Sequence, residues 1–249
     1  MRKKTSIAAA GLLSLAGILA AGTSNASPIV FQTASSATNS TGQPVSASAT
    51  FSLSANTLVI QLTDTLANPT DVAQLISGLS FTLSNGLTSG TLSGSAANFL
   101  NVNADGSFTN AGNGLTGWVL QPGFDLCDIC SSGGGSSVPA GLIIGPPGSN
   151  GAYSNANGSI AGNSPHNPFI NQTGTYTLDI QGLTANDSIS SVVFGFGTTY
   201  GQDTTNGVCT AGCGSTVPEP GALALFAAGL GGLGIALSRK RRRARAELI

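Results

Sequence analysis

Basic side chains are missing from residues 5–238, which contain neither Lys nor Arg. All nine Lys and Arg residues lie at the two ends of the chain, in Arg2–Lys4 and between Arg239 and Arg245. Each cluster borders an apolar stretch, and membranes retain Lys and Arg clusters on the cytoplasmic side. We therefore expect both ends to stay inside and the chain between them to be exported across the membrane.

The long middle segment, residues 27–216, also lacks Glu, and its eight Asp are its charged side chains. Its formal charge is therefore about −8. Such a surface repels phosphate backbones and has no cations that could release counterions, so we expect no nucleic-acid partner. Anionic membrane surfaces are disfavoured for the same reason.

An enzyme is difficult to build from these residues. The single histidine, His166, lies in a Ser-Pro-His-Asn-Pro stretch typical of an exposed turn. No Gly-x-Ser-x-Gly motif surrounds a serine, and no Arg or Lys could stabilise an oxyanion or a phosphate. Asp125 and Asp128 are close enough in sequence for a glycosidase pair, but their cysteine neighbours indicate a constrained loop. We predict no catalytic residue, no cofactor and no metal site.

Cysteine is scarce, and the four residues form two close pairs, Cys127 with Cys130 and Cys209 with Cys213. Paired thiols could bind zinc or form a redox-active motif, but export to an oxidising compartment favours disulfides. Two local bridges would close very short loops. Cross-pairing would close a loop of about 80 residues, worth about 4 kcal/mol. The sequence leaves the connectivity open.

The N-terminal segment is typical of a secretory signal, with the basic Arg2–Lys4 followed by the apolar residues Ile7 to Ala21. Ser24-Asn25-Ala26 supplies the small residues that signal peptidase requires. We predict a signal peptide over residues 1–26 and a mature chain that begins at Ser27. The apolar stretch is shorter than the ~20 residues of a membrane-spanning helix.

The C-terminal segment has three parts in a fixed order. Val217, Pro218, Glu219 and Pro220 form an extended tetrapeptide that cannot enter a helix. Residues 221–237 are apolar or small and reach the lower length limit of a transmembrane helix. A stop-transfer cluster follows, made of Arg239, Lys240, Arg241, Arg242, Arg243 and Arg245.

This order of Val-Pro-Glu-Pro, a short Gly-rich apolar helix and an Arg-rich tail, over residues 217–245, resembles the PEP-CTERM sorting signal of Gram-negative bacteria. The resemblance implies recognition of Val217 to Pro220 by an exosortase, a membrane transpeptidase. It further implies a transient stay in the inner membrane before the product reaches the cell surface or the medium. An ordinary single-pass anchor is the alternative.

Residues 27–216 are rich in Ser, Thr, Gly and Asn, which are poor helix formers. Apolar and polar residues alternate from Phe51 to Leu62, from Leu79 to Leu83 and from Tyr176 to Ile180. The run from Ile189 to Phe196 is typical of a more deeply buried strand. Strands at this spacing predict an all-β domain, an antiparallel sandwich of jelly-roll type.

Turn residues divide these runs. Ala55-Asn56, Asn85-Gly86 and Asp105-Gly106 predict three hairpins, and residues 50–64 and 80–94 are similar enough to predict two like hairpins. Residues 71–76 predict one helical turn. Residues 130–168 are predicted to be mostly loop, with one short strand within 141–145.

Two candidate binding sites have simpler explanations. Asn101, Asn103, Asp105 and Gly106 resemble the first half of a calcium loop, but the twelfth position is Gly112, where calcium requires Glu. A turn explains the same residues. Trp118, Tyr153 and Tyr200 are candidates for stacking on a sugar, although a lone Trp is more often in the core.

Two functions remain. The first is a non-enzymatic surface or matrix protein associated with exopolysaccharide, as in a biofilm. The second is a glycan-binding module displayed at the cell surface.

Overall fold

The computed structural model describes residues 27–130, 141–199 and 201–213. Within these ranges nearly all regular structure is β. The strands are β1 Ile29–Thr33, β2 Ala47–Ser54, β3 Thr57–Asp64, β4 Ile76–Leu83, β5 Thr91–Val102, β6 Phe108–Gly114, β7 Val119–Gln121, β8 Asp125–Cys127, β9 Ile143–Ile144, β10 Phe169–Asp179, β11 Ile189–Phe196 and β12 Asp203–Ala211. One 3-10 turn, Val72–Gln74, begins at Asp71, whose carboxylate accepts the amide of Ala73.

Eight of the strands form a closed ring in the order β10, β3, β2, β1, β12, β11, β4 and β9. The short β9 closes it, because Ile143 pairs in parallel with Ile170 of β10 and antiparallel with Ile76 of β4. The other four strands extend this ring outward, β5 and β6 from β10, and β8 and β7 from β4. The fold is thus a small closed barrel of eight strands, which we call the ring, with four added strands.

The predicted β class is confirmed, but the two stacked sheets of a sandwich are not what the strands form. Every described strand joins one hydrogen-bonded network, and β9 links strands that a sandwich would leave in separate sheets. The short strand predicted within 141–145 is confirmed as β9, but a run of two apolar residues could not show that it pairs with both β10 and β4. The predicted transmembrane helix lies outside the described residues.

Local patterns were better guides. Residues 55–56 connect β2 to β3 and Asp105-Gly106 lies in the turn between β5 and β6, so both of these predicted hairpins are confirmed. The hairpin predicted at Asn85-Gly86 is wrong. Residues 84–86 do turn, but β4 pairs with β11 and β5 pairs with β10, so the two like segments do not make two like hairpins.

Two apolar clusters fill the domain, one on each side of β9. The larger lies inside the ring and includes Phe51, Phe81, Tyr176 and Ile143. The smaller, which we call the second core, comprises Val72, Leu75, Leu100, Val102, Leu142, Ile144, Tyr153, Ile160 and Phe169. Alternation along β9 sends neighbouring residues into different clusters, so this short strand is shared by both.

Because neighbouring strands are mostly antiparallel, the loops that connect them fall at one or the other end of the ring. We call the end at which β1 begins and β12 stops the terminal end. The turn 55–56 and the loops 84–90 and 180–188 lie there. At the far end lie the longer loops 34–46, 65–75 and 145–168, together with 197–202. Loops 65–75 and 145–168 contribute Val72, Leu75, Tyr153 and Ile160 to the second core.

Candidate functional site

The exit of the chain towards its C-terminal segment is the part of the described structure closest in sequence to the sorting motif. The first and last strands are antiparallel neighbours, with Val30 opposite Ala211. The hydroxyl group of Thr210 also donates a hydrogen bond to the carbonyl oxygen of Val30 at 3.3 Å. Both ends of the described domain therefore leave the ring on the same side, next to each other.

Glycine suits position 212, because any side chain there would be strained. Its φ is +69°, in the left-handed region that disfavours side chains. A Cβ atom at this position would lie 2.6 Å from the carbonyl oxygen of Pro28, at the start of the domain. At this close approach the chain around Gly212 packs against Pro28, which precedes β1.

The predicted recognition residues Val217, Pro218, Glu219 and Pro220 lie outside the described residues, as do the basic residues from Arg239 to Arg245 and residues 1–26. Covalent geometry nevertheless limits their distance from the ring. Val217 is four residues after Cys213, which corresponds to at most about 14 Å of extended chain. Val217 therefore lies within about 14 Å of Cys213.

The cysteines pair locally. Cys127 is bonded to Cys130 and Cys209 to Cys213, with Cα–Cα distances of 5.7 and 5.9 Å. Disulfides are thus confirmed over zinc, and the cross-pairing that chain entropy favours does not occur. The reason is topological, because Cys127 ends β8 beside β4 whereas Cys209 lies in β12 between β1 and β11.

The stacking candidates are not available as a binding platform. Trp118 is 3% exposed and Tyr153 is 1% exposed, so both belong to the interior. The indole N–H of Trp118 donates to the carbonyl oxygen of Gly141 at 2.9 Å, and its ring lies 5.2 Å from that of Tyr176. Tyr200 lies outside the described residues. The structure therefore contradicts a sugar site built on Trp118 and Tyr153.

The calcium-like sequence forms a turn, as the simpler explanation predicted. The carboxylate of Asp105 accepts the amide of Ser107 at 3.0 Å and its hydroxyl group at 2.6 Å. These bonds lower the pKa of Asp105, the hydroxyl bond most of all. The side chain of Asn103 also donates to the Ser107 hydroxyl group. Among the described residues no group of three or more metal-binding side chains comes together.

His166 also has a structural explanation. It lies in a turn, as predicted, and is half-buried. Its Nδ1 atom is 2.8 Å from the carbonyl oxygen of Ser159, within the same far-end loop. The ring therefore helps to fix residues 159–166.

An open groove of about 680 Å³ runs along the outer strands β10, β5 and β6. Its lining consists of Ser95, Ala96, Ala97, Asn98, Asn113, Gly114, Leu115, Thr173 and Thr175. None of these residues is charged, and Leu115 is 78% exposed. The groove offers hydroxyl and amide groups beside the apolar side chains of Ala96, Ala97 and Leu115, which suits a neutral ligand.

A buried carboxyl group lies at the far end of β3. Leu58, Ile60 and Leu62 face the interior, and Asp64 follows in the same alternation and is 1% exposed. Burial raises the pKa of Asp64 well above its usual value, although the backbone amides of Leu66, Ile76 and Gly145 oppose the shift. The alternation was visible in the sequence and could have identified this residue as buried.

A second carboxyl group of interest, that of the half-buried Asp128, follows β8 between the cysteines of the first disulfide. Burial raises the pKa of Asp128 to about 7. Its Oδ2 atom is buried without a hydrogen-bond partner among the described residues. The charge of Asp128 adds to the effect of burial in raising the pKa of Tyr176, whereas a hydrogen bond with Thr116 opposes it. Asp128 is close enough to Asp125 in sequence for a glycosidase pair, and its cysteine neighbours predicted a constrained loop instead.

No helix among the described ranges has the length and hydropathy needed to cross a bilayer. The profile of the PEP-CTERM protein-sorting motif matches residues 216–242. Comparison with curated proteins and with solved structures gave no match. The motif implies export, transient membrane anchoring and processing by an exosortase-type enzyme of a Gram-negative bacterium, in agreement with the resemblance drawn from the sequence.

Proposed function

Because the chain carries a PEP-CTERM sorting domain, we propose that residues 27–216 are a non-enzymatic surface or matrix component, associated with exopolysaccharide. In this proposal signal peptidase removes residues 1–26 and an exosortase cleaves near Val217 to Pro220. The released domain then reaches the cell surface or the biofilm matrix.

The adjacent ends of the domain are the observation that best supports this course. With β1 and β12 side by side, a chain whose two ends enter the same membrane can fold without being threaded around the ring. Seven residues, 214–220, separate Cys213 from the predicted membrane segment and can extend to about 28 Å. The ring is therefore held near the membrane with its terminal end inward and its long loops outward.

Sorting is tested by changing Pro218, Glu219 and Pro220 to alanine in the natural host and separating the cell fractions. We expect full-length protein to accumulate in the inner membrane and to disappear from the outer fraction, and deletion of the exosortase to give the same result. Alanines at Gly214 and Ser215, which precede the matched motif of residues 216–242, are the control and should leave sorting intact. If neither change alters the outer amount, the domain is simply an anchored ectodomain.

The matrix role needs its own test, since sorting alone does not establish it. Cells lacking this protein should retain less exopolysaccharide and form weaker biofilms, and the wild-type chain should restore both. The variant with alanines at 218–220 should fail to restore them although it is produced. Full restoration by that variant would show that release to the surface is unnecessary.

The outer groove favours glycan binding as a second candidate function. Its uncharged lining and the absence of cations from residues 27–216 favour neutral polysaccharides over anionic ones. Replacing Asn98 and Asn113 together by alanine should reduce retention on dextran, whereas Asn155→Ala in a far-end loop should not. Equal retention of all three proteins, or equal binding to alginate, would exclude this groove as the site.

Trp118 provides an internal check on the second candidate. As the only tryptophan and a buried residue, it should fluoresce at short wavelength and respond little to added dextran. A large response would mean that binding rearranges the core.

A further inference from the structure

β9 closes the ring with only two residues, and a glycine lies on each side of it. The carbonyl oxygen of Gly141 accepts the indole N–H of Trp118 at 2.9 Å. The carbonyl oxygen of Gly145 accepts the hydroxyl group of Tyr153, also at 2.9 Å. Side-chain hydrogen bonds at both ends therefore support a strand that has few backbone bonds of its own.

Each of these glycines also lies against a carboxyl group, Gly145 against that of the buried Asp64 and Gly141 against that of the half-buried Asp128. A Cβ atom at Gly145 would lie 2.9 Å from Oδ1 of Asp64, and one at Gly141 would lie 3.3 Å from Oδ1 of Asp128. Asp64 accepts the amide of Leu66 at 2.9 Å through Oδ1. The Oδ2 atoms of both aspartates are buried and have no hydrogen-bond partner among the described residues.

No cation can neutralise either group, because residues 27–216 contain no Lys or Arg. The titratable groups that face them are Tyr153 near Asp64 and Tyr176 near Asp128, and burial raises the pKa of both tyrosines, so both stay neutral. An ionised carboxylate that is buried and unpaired is strongly unfavourable. Each aspartate therefore favours its protonated form in the closed ring, and an ionised carboxylate is stabilised by moving towards water.

We propose that Asp64 and Asp128 form a proton-dependent latch at the two ends of β9, which holds the ring closed when they are neutral and loosens when they ionise. Loosening moves β9 and its flanking residues, so that each carboxylate reaches water. The latch acts in the folded domain and does not depend on how the chain is sorted.

The direction of the effect follows from proton linkage. Burial raises the pKa of both aspartates in the folded state, so the folded domain holds their protons more tightly than the unfolded chain does. Their contribution to stability is complete below the unfolded pKa of about 4 and is lost as the pH rises through the folded pKa, for Asp128 about 7. The domain should therefore be more stable in mild acid than above pH 7.

The test uses the secreted domain, purified with its disulfides intact, as wild type and as Asp128→Asn, Asp64→Asn and Asp179→Asn. Asp179 is exposed on β10, so Asp179→Asn changes the charge equally without touching β9. Raising the pH from 5 to 8 should lower the Tm of wild type, measured by thermal unfolding, by about 5 °C or more. Asp128→Asn should remove at least half of this decline, and Asp179→Asn should remove little.

Hydrogen exchange localises the effect. In wild type, peptides that cover residues 141–146 should lose protection between pH 5 and pH 8, after correction for intrinsic rates, before the strands β2 and β3 do. Asp128→Asn and Asp64→Asn should each reduce that loss. Because each variant is also compared with itself across pH, a general loss of stability cannot imitate the result.

Three outcomes would overturn the latch. Equal flattening of the pH profile by Asp179→Asn and Asp128→Asn would assign the effect to overall charge repulsion. Uniform loss of protection along the chain would show that β9 is not the element that opens. If calcium raises the Tm at pH 8 to its pH 5 value, or if EDTA lowers the Tm, a metal ion neutralises the carboxylates instead of a proton.

Discussion

The two ends of the ring differ in how much chain they use. The terminal end is closed by a two-residue turn and two moderate loops, and it is where the domain begins and stops. The far end carries three longer loops that are joined to each other, and two of them, 65–75 and 145–168, contribute to the second core. For example, the amide of Asn157 donates to the carbonyl oxygen of Thr70, and the side-chain amide of Gln74 donates to the carbonyl oxygen of Pro44.

This difference indicates a division of labour. A protein processed at the membrane needs a compact end that leaves the motif accessible, because only about 14 Å of chain separates Cys213 from Val217. The opposite end is free of that constraint and can carry long loops. Polar loops without charged clusters, held by Asn and Ser side chains, suit a domain exposed to the surroundings.

The largest expected effect compares the two cores. Phe81 lies inside the ring, stacked on Phe124 with ring centroids 5.0 Å apart and edge-on to Phe51 at 5.4 Å. Phe81→Ala should lower the free energy of unfolding by about 3–5 kcal/mol. Ile160→Ala in the second core should cost about 2–4 kcal/mol and should first increase hydrogen exchange in residues 145–168.

Urea unfolding and hydrogen exchange together measure this comparison. If Ile160→Ala lowers protection equally in β2, β3 and the far-end loops, the second core is not a separate unit. The division between the two ends would then describe shape only, not stability.

The next effect concerns the exit at the terminal end. Gly212→Ala must adopt a positive φ and also approach the carbonyl oxygen of Pro28, whereas Gly86→Ala adopts a similar φ of +76° in open space. The backbone strain alone costs about 1–2 kcal/mol. Gly212→Ala should therefore destabilise more than Gly86→Ala, by about 1 kcal/mol or more.

Thermal unfolding of the two variants gives the difference directly. In cells Gly212→Ala should also reduce correct C-terminal processing, because the chain leaves the ring in another direction. Equal stability of the two variants would mean that the start and the end of the domain are not tightly packed.

A smaller effect is expected from the disulfide at the same end. The bridge from Cys209 to Cys213 closes a very short loop, so replacing both cysteines by serine should cost about 2 kcal/mol or less. Alkylation of the wild-type domain without reductant should modify none of its four cysteines. A cost well above 2 kcal/mol would show that the bridge does more than restrict the unfolded chain.

Sequence patterns predicted the strands and turns that depend on residues close together in the chain. Alternation identified β2, β3, β4, β10 and β11, and the capped turn at Asp71 was also found. The patterns did not reveal β1 or β12, and the strand predicted within 141–145, which β9 confirms, gave no sign that it closes the ring. Pairing between distant segments decides those elements, and short apolar runs carry little information about their partners.

The candidate site divides in the same way. The sorting motif is continuous in sequence and could be recognised directly, since its residues need no folded context. The buried carboxyl groups depend on tertiary structure. Asp64 was detectable from its place in the alternation of β3, but the surroundings of the half-buried Asp128 include Gly141 and Tyr176, which approach it only in the fold.

The smallest expected effect concerns Asp105, an exposed far-end carboxylate whose behaviour with pH should be opposite to that of Asp128. Bonds from Ser107 lower the pKa of Asp105, so its contribution to the turn is present above the unfolded pKa and is lost as the pH falls through the folded one. Asp105→Asn should leave the Tm at pH 7 almost unchanged. Hydrogen exchange of residues 103–107 should increase below pH 4 in wild type and show no such increase in Asp105→Asn. If acid instead slows hydrogen exchange of this turn in wild type, Asp105 does not respond to pH in the direction opposite to Asp128, as proposed.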